Sequence, residues 1–382
     1  MVDRIVTLFW EGAMQRIGNL WTQVTSFENL HRSFYRVLRG KRGKPGAGDL
    51  FMDLEGNLFQ LQRELREGRY VPGEYDTFWI YEPKARLISA APLRDRVVHH
   101  ALVNVIEPIF ERRFIHHSYA CRKGRGTHRA LRQFVSWVRT SRYALKMDIR
   151  KFFPTIDHEI LKAQIRRTIK DPEVLRLCDL IIDRSNKQEK VIQYFPGDDL
   201  FTPVTRRKGI PIGNLTSQFF ANIYLDALDH FVKERLRIRR YLRYVDDFCC
   251  FHDDKRFLRE IRAQIAAFLA SLRQSLNEGK SRIRQVKEGI EFLGFVVFPD
   301  QMRLNQTAVR RQRRRIKRLR QEYADGAINW PQVKASLQAW NAHAAHGTTW
   351  RLRSDVFQKA VFSHAGSPCH PPIRRLWTET TR

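Results

Sequence analysis

Cysteine, acidic residues and long apolar runs are all scarce in this chain of 382 residues. Its five cysteines are odd in number and include no C-x-x-C pair, which predicts reduced thiols and argues against a disulfide framework or a zinc ribbon. No uncharged apolar stretch approaches the roughly 18 residues of a membrane span, and the N-terminal residues do not match a signal peptide. We therefore expect a cytoplasmic protein without membrane association.

Basic residues dominate the charge, with 69 Lys and Arg against 40 Asp and Glu and a net charge of +29. Such an excess repels itself unless a polyanion is near, so nucleic acid is the expected partner. The apolar content of 43% is ordinary for a globular protein, and the length predicts two or three subdomains. Nucleic-acid packing proteins carry similar charge, so charge alone does not identify an enzyme.

The hydrophobic pattern predicts an α+β chain with a mostly antiparallel sheet. A short strand, "YALKMDI", ends at Asp148, and "YLRYVDDFCCF" reads as strand, turn and strand. Residues 184–208 are polar and look like a loop insertion, after which Thr216 or Ser217 is expected to cap a helix. Helices are expected over 25–39, 54–65 and 95–114, and strands within 76–92.

Two adjacent aspartates, Asp246 and Asp247, interrupt the apolar run "RYVDDFCCF". An ordinary hairpin turn explains a lone Asp-Asp pair better than a functional site does. Tyr-Val-Asp-Asp between apolar strands, with an aspartate at a strand end upstream and a net charge of +29, favours the functional site instead. If the strand that ends at Asp148 is a neighbour in the sheet, three carboxylates converge at one edge. Their repulsion would raise their pKa values unless cations lie between them, and hard oxygen ligands suit Mg²⁺. The pattern then favours a two-metal site for nucleotidyl transfer.

A strongly basic segment, "VRRQRRRIKRLRQEY", follows near the C-terminal end. Eight of the eleven residues 310–320 are Arg or Lys. An apolar stripe at helical spacing nevertheless persists, which predicts a helix with one face on a core and the other on phosphates. The stripe consists of Val309, Ile316, Leu319 and Tyr323.

Six ordered segments resemble the motifs of reverse transcriptases: "EPKARLISAAPLRDRVVHHAL" with "YACRKGRGTHRAL", "ALKMDIRKFFPTID", "GIPIGNLTSQFFANIYL", "RYVDDFCCF", "LNEGKSRI" and "IEFLGFVVF". The resemblance implies a right-hand polymerase fold and RNA-templated DNA synthesis. The implied domains are an N-terminal extension over 1–24, fingers over 25–142, a palm over 143–300 that includes the insertion, and a helical basic thumb with a tail over 301–382.

The resemblance also implies site residues. Asp148, Asp246 and the carbonyl of Ile149 would bind two Mg²⁺ ions, with Mn²⁺ as an alternative, and Asp247 would be a ligand or a nearby charge. Lys280 would act as the general acid for pyrophosphate. A surface lysine is the alternative interpretation of Lys280.

The incoming deoxynucleotide would be held by residues from several motifs. Lys84 and Arg86 match the pair that grips the triphosphate, with Arg94 and Arg96 as possible substitutes. Phe153 stands at the position of the steric gate that excludes a 2′-hydroxyl, although it could equally be a core residue beside Phe152.

One loop departs from the common family pattern. Most relatives have Pro-Gln-Gly followed by Ser-Pro, whereas here Ile212 precedes Gly213, and Gln218 follows the serine. Ile212 offers no hydrogen bond to the nucleotide, so checking of the nascent base pair should weaken. The pattern resembles reverse transcriptases of bacterial and phage diversity-generating retroelements, which copy a template RNA with errors at adenine and work with a small helical-bundle accessory protein.

Two alternatives stay open: an antiphage defence reverse transcriptase that copies a small noncoding RNA, and a non-catalytic RNA-binding scaffold. The implied partners are template RNA, primer and cDNA strands and dNTPs. The residues expected to contact nucleic acid are Arg122, Gly294, Arg313, Arg314, Lys317 and Arg320. A zinc site built from His343, His346, Cys369 and His370 is a weaker alternative use of the C-terminal residues.

Overall fold

The computed structural model describes residues 15–39, 53–81, 85–186, 188–358 and 360–363. Nine strands within these residues form three sheets, with the orders β1–β2, β4–β5–β3–β6 and β7–β8–β9. The strands are β1 Asp76–Ile80, β2 Arg86–Ala90, β3 Tyr143–Asp148, β4 Tyr241–Tyr244, β5 Asp247–His252, β6 Arg282–Gln285, β7 Ile290–Phe292, β8 Phe295–Val297 and β9 Met302–Leu304.

Helices connect these strands, which confirms the predicted α+β class. The longer ones are Phe27–Leu38, Leu54–Arg66, Leu93–Glu111, Thr127–Arg139, His158–Arg166, Pro172–Asp183, Leu215–His230, Lys255–Ser271, Gln306–Ala324, Trp330–Ala344 and Trp350–Gln358. Short helical turns occur at Trp21–Val24, Phe152–Thr155 and Thr202–Thr205, and the last of these lies in the insertion.

Two helices differ at their N-termini, because only one of them has a capping side chain. Asp157 caps helix His158–Arg166, because its side chain accepts a hydrogen bond from the N–H of Ile160 at 3.1 Å. The expected cap at Thr216 or Ser217 is wrong, because the helix already begins at Leu215 after Asn214. The Asn214 side chain caps nothing there because it bonds to the segment of β2 instead, as described below.

The described residues divide into two compact units. The first holds the described residues up to Arg125 together with Lys146–Cys249 and Arg259–Arg282; the second holds Gly126–Leu145, Cys250–Leu258 and the described residues from Ile283 onward. The predicted borders of fingers, palm and thumb stay predictions.

In the second unit, the basic helix Gln306–Ala324 packs on one face. Ile316, Leu319 and Tyr323 are buried in a cluster with residues of the two following helices, including Leu337. Val309, the fourth residue of the predicted stripe, is only half-buried. The prediction of an amphipathic basic helix is therefore confirmed.

No helix in the described ranges is both long and apolar enough to cross a membrane.

Candidate active site

The strand order brings the predicted acids to one edge of the four-stranded sheet. Asp148 is the last residue of β3, Asp247 is the first of β5, and these strands are neighbours. Asp246 lies in the turn between β4 and β5, and its carbonyl accepts a hydrogen bond from the N–H of Ile149 at 3.2 Å. The hairpin tip is thereby joined to the end of β3, and the condition on which the sequence prediction rested, that the two strands are neighbours, is met.

A buried ion pair beneath the hairpin supports its shape. The guanidinium of Arg243, 1% exposed, donates to both carboxylate oxygens of Asp229 at 2.7 and 2.8 Å. It also donates to the side-chain oxygen of Asn222 and to the carbonyl of Val245, both at 3.1 Å. Tyr241 donates its hydroxyl to Asp229 at 2.7 Å. Because the charges are paired and the remaining donors are used, this burial is tolerated.

The turn itself is strained. Val245 has φ of +57°, the left-handed region that branched side chains rarely adopt. Such conformations persist only where surrounding contacts enforce them, and they concentrate at functional sites. The hydrogen bond from Arg243 to the Val245 carbonyl is one such contact. Sequence reasoning missed this role of Arg243, although an arginine inside an apolar strand signals a buried partner.

The Asp148 carboxylate is held from one side by the segment that precedes β6. Lys280 donates from Nζ to both carboxylate oxygens at 2.8 Å, and the Asn277 amide donates to Oδ1 at 3.1 Å. The Asn277 N–H also donates to the Asp148 carbonyl at 2.7 Å. We call the end of the sheet that carries Asp148, Asp246 and Asp247 the acidic edge. Lys280 therefore lies at this acidic edge, as predicted, with its side chain about half exposed.

The other two acids are half-buried and carry raised pKa values. Burial raises the pKa of Asp247 to about 6, and the charges of Asp148 and Asp246 add to the effect while Lys146, at 3.2 Å, opposes it. Burial also raises the pKa of Asp246, and the Asp148 charge adds to it, whereas Lys280 and Arg86 act against it. The repulsion expected from the sequence is therefore present.

The three carboxylates do not form a single ligand cluster in the described part of the chain, where no group of three His, Cys, Asp or Glu side chains could hold a metal ion. The separation follows from their contacts, since Asp148 faces Lys280 while Asp247 faces Lys146. The donors nevertheless fit Mg²⁺, which needs only one or two carboxylates beside substrate phosphates. The buried Oδ1 of Asp247 also lacks a hydrogen-bond partner among the described residues.

Among the residues predicted to bind the nucleotide, Arg86 is the first residue of β2 and has an exposed side chain. Its positive charge lowers the pKa of Asp246 and so opposes the effect of burial. Lys84 lies outside the described residues. The possible substitutes are otherwise engaged: Arg94 pairs with Glu64, and Arg96 donates to the carbonyl of Ala91 at 2.7 Å. Arg86 is thus the best-placed cation in this segment for a phosphate.

The unusual loop at Ile212 is tied to the segment of β2. The Ser89 N–H donates to the Ile212 carbonyl at 2.9 Å, and Asn214 pairs with Ser89 and Ala91 at 2.9 and 3.1 Å. Gly213 has φ of +121°, and a Cβ there would lie 2.9 Å from Ile88, so the close approach requires glycine. The loop therefore lies against the hairpin that carries Arg86.

Phe152 and Phe153 occupy different environments. Phe152 is buried and packs edge-on against Tyr224, whereas Phe153 is only half-buried. Phe152, and not Phe153, is therefore the core residue of this pair. Gln218, in the first turn of its helix, is exposed.

Arg122, one of the predicted nucleic-acid contacts, is instead buried and paired within the protein. Its side chain is 3% exposed and its guanidinium bonds to Glu111 and to the carbonyls of Ile115 and Ser118. The sequence signal was misleading because a basic loop motif does not reveal that Glu111, 11 residues earlier, lies beside the arginine.

The second unit holds the other predicted contacts. Gly294, with φ of +87°, forms the exposed turn between β7 and β8. On the basic helix Arg314 and Lys317 are exposed, Arg320 is half-buried, and Arg313 pairs with Asp355 at 3.2 Å. The helix therefore presents cations opposite its packed face.

A family model described as reverse transcriptase (RNA-dependent DNA polymerase) matches residues 81–297, more than half of the chain. The chain belongs to this family. Membership confirms the right-hand polymerase fold and the enzyme class, RNA-directed DNA polymerase. The matched residues of this reverse transcriptase include Asp148, Asp246 and Asp247, the Ile212 loop and strand β2 with Arg86.

Similar curated proteins differ greatly in length. Protein YkfC of Escherichia coli is 27% identical over 61% of this chain and 69% of its own. The group II intron-encoded protein LtrA of Lactococcus lactis is 26% identical over 58% of this chain and 37% of its own. A putative COX1/OXI3 intron 1 protein of Saccharomyces cerevisiae is 23% identical over 58% of this chain and 26% of its own. The chain thus spans well under half of the two intron proteins.

Proposed function

We propose that this reverse transcriptase copies a cognate RNA into cDNA and that it makes errors at template adenines, as in a diversity-generating retroelement. The observation that supports the polymerase is the arrangement of Asp148 and Asp246 at one sheet edge, within reach of the Arg86 charge. The partners are template RNA, primer, cDNA and dNTPs, with a small helical-bundle accessory protein in the retroelement form.

The residues of the chain divide the work of nucleotidyl transfer. Asp148 and Asp246, with the carbonyl of Ile149, are the proposed Mg²⁺ or Mn²⁺ ligands, and Asp247 supplies a further negative charge. When bound, two such ions would acidify the primer 3′-hydroxyl and neutralise the leaving pyrophosphate. Arg86 would bind the triphosphate by bidentate contact, since guanidinium matches phosphate geometry. Lys84 is proposed as its partner on sequence alone.

Lys280 and Phe153 would complete the selection and release of the nucleotide. The Lys280 ammonium, held at the acidic edge by Asp148, is positioned to give a proton to the departing pyrophosphate. The half-buried ring of Phe153 would occupy the space of a 2′-hydroxyl and so exclude ribonucleotides. Gly213 and Gln218 would shape the same pocket around the sugar.

Ile212 supports the finer part of the proposal. Its carbonyl is fixed by Ser89, so its side chain is held beside the hairpin of Arg86 and can offer only apolar contact. A polar group that bonds the substrate adds roughly 1–3 kcal/mol of discrimination, and its absence should lower fidelity.

The defence function is the second candidate. It rests on the insertion, which is anchored to the rest of its unit: Arg206, 5% exposed, pairs with Asp198 and with Asp157. An ordered insertion of this kind is longer than the smallest retroelement enzymes need. A silent scaffold is disfavoured because it would not need to keep Asp246 and Asp247 at a strained turn beside Asp148.

The test is misincorporation per template base on one defined RNA, with wild type and Ile212→Gln side by side. The proposal predicts more errors opposite adenine than opposite other bases, and fewer of them in the variant. Ile192→Gln, at a residue 66% exposed in the insertion, is the matched control. Equal accuracy at all four bases in wild type would reject the retroelement function and favour the defence one.

A further inference from the structure

Three histidines from two helices lie together in the second unit. His128 is in the first turn of helix Thr127–Arg139, while His343 and His346 lie at and after the end of helix Trp330–Ala344. The rings of His128 and His346 stack with centroids 3.7 Å apart and planes 27° apart. We call these three residues the imidazole cluster. His128 and His346 are exposed and His343 is half-buried, so the cluster faces solvent.

The cluster adjoins the exposed turn between β7 and β8. A Cβ built on Gly294 would lie 3.8 Å from Nε2 of His343, and the His343 ring is 4.9 Å from that of Phe295. Leu293 and Gly294 both have positive φ, at +46° and +87°, which makes this a tight two-residue turn. An incoming ligand would therefore meet imidazole and bare backbone together.

The electrostatic surroundings favour an anion. Helix Thr127–Arg139 contributes His128 and Arg132 to the surroundings of the cluster, and the end of helix Trp330–Ala344 contributes His343 and His346. The nearby β7–β8 turn contributes only the uncharged ring of Phe295. Burial and these cationic neighbours hold the pKa of His343 and of His346 below the usual range. An anion among them would reverse the effect and favour protonation.

We propose that His128, His343 and His346 bind the phosphodiester backbone of the nucleic-acid duplex and take up protons when they do so. The proposal rests on the proposed function, which requires the chain to hold a primer–template duplex. No three-ligand group fit for a metal occurs among the described residues, and Cys369 and His370 of the alternative zinc site lie outside them. Stacked, exposed imidazoles beside an arginine match instead a line of phosphates, each of which accepts hydrogen bonds from cationic donors.

The sign of the pH dependence follows from linkage. His343 and His346 have lowered pKa values in the free chain and would have higher ones beside phosphate, so the complex binds more protons than the free protein. Affinity should therefore rise as pH falls through the pKa of the bound state. One proton taken up corresponds to at most a roughly tenfold gain in affinity per pH unit.

The experiment measures the affinity of the full chain for a labelled RNA–DNA duplex between pH 8 and pH 6, at fixed ionic strength and without dNTPs. Wild type should bind roughly tenfold more tightly at pH 6. A triple variant, His128→Gln with His343→Gln and His346→Gln, should lose most of this gain, while His31→Gln, a histidine in the other unit, should keep it. Equal pH dependence in wild type and the triple variant would overturn the proposal, provided that circular dichroism shows both to be folded.

Two further arms separate the alternatives. Inorganic pyrophosphate is added as a competitor: if the triple variant loses pH-dependent binding of pyrophosphate but not of the duplex, the site serves a free phosphate and the proposal is wrong. Primer extension on RNA is measured with the same wild-type sample. Absent extension with intact pH-linked duplex binding would reject the proposed function and leave the phosphodiester site standing.

Discussion

Asp247 at the sheet edge and Arg314 on the basic helix are both charged, but their surroundings are opposite. The Asp247 side chain is 21% exposed, one of its oxygens faces Lys146, and its pKa is raised to about 6. Arg314 is exposed on a helix where most of the neighbouring surface residues are also cations. The charge of Asp247 is partly removed from solvent and depends on one particular neighbour. The charge of Arg314 is solvated and is one of many on its helix.

The difference explains how each region tolerates change. Charges at the acidic edge are fixed by individual contacts, including the strained turn at Val245, so each position should matter on its own. Charges on the basic helix act through their sum, because binding to phosphates releases counterions in proportion to the number of contacts. Loss of one such cation should therefore weaken binding by a modest and predictable amount.

The largest effect is expected from Arg243→Met. The change leaves Asp229 buried without its cation, which should lower the free energy of unfolding by about 3–5 kcal/mol. Urea denaturation measures this, with Arg284→Met, at an exposed residue of β6, as the control. Adding Asp229→Leu should restore much of the stability but not primer extension, because the Val245 carbonyl still lacks its donor. Restored extension would show that Arg243 does not shape the turn.

Asp247→Asn should make the metal-free chain more stable while it impairs extension. A carboxyl whose folded-state pKa is raised favours folding while protonated, and that contribution is lost as pH rises from about 4 through about 6. At pH 8 the variant should gain up to about 3 kcal/mol, reduced by the lost contact with Lys146. The check is thermal unfolding in EDTA across this pH range, with Asp300→Asn as an exposed control. Lower stability of the variant at pH 8 would contradict the cost assigned to this charge.

Phe153→Ala tests whether the half-buried ring of Phe153 has a specific role in selecting the sugar of the nucleotide, as each acid has a specific role, or whether another side chain can replace it. If the ring excludes a 2′-hydroxyl, the preference for dNTP over rNTP should fall by roughly ten- to a hundredfold. Single-nucleotide extension with each substrate measures this ratio. Phe59→Ala, at a residue 49% exposed elsewhere in the unit, is the control. An unchanged ratio would assign sugar selection to other residues.

The smallest effects are expected on the basic helix. Arg314→Gln and Lys317→Gln should each reduce the slope of log affinity against log salt by about one, with a few-fold loss of affinity. Arg313→Gln should change the slope less, because Arg313 already pairs with Asp355. Titration of one RNA at several salt concentrations gives the slopes. Identical slopes for all three variants and wild type would mean that this face does not meet phosphate.

Sequence reasoning predicted well what local patterns encode. The strand that ends at Asp148, the Asp246–Asp247 hairpin and the amphipathic basic helix follow from periodicity and turn chemistry. It failed where tertiary contacts decide. The helix predicted to be capped by Thr216 or Ser217 begins already at Leu215, after Asn214, whose side chain bonds to Ser89. Arg122 bonds to Glu111 instead of nucleic acid.

The support of the hairpin was missed for the same reason. Nothing local in the sequence joins Arg243 to Asp229, or shows that Val245 has a left-handed backbone. Likewise, the expectation that three carboxylates converge came from assuming that their strands are neighbours in the sheet. The lysines that face Asp148 and Asp247 depend on the tertiary arrangement, which local patterns do not encode.

The most direct test of the central claim measures two quantities on the same samples: primer extension on an RNA template and affinity for that RNA. Asp246→Asn is compared with a chain in which Arg313, Arg314, Lys317 and Arg320 are all replaced by Gln. Asp246→Asn should abolish extension and bind RNA almost as wild type does. The basic-helix variant should bind far more weakly, yet extend the primer when RNA is raised to saturation. Substantial extension by Asp246→Asn would contradict the assignment of the chemistry to this sheet edge.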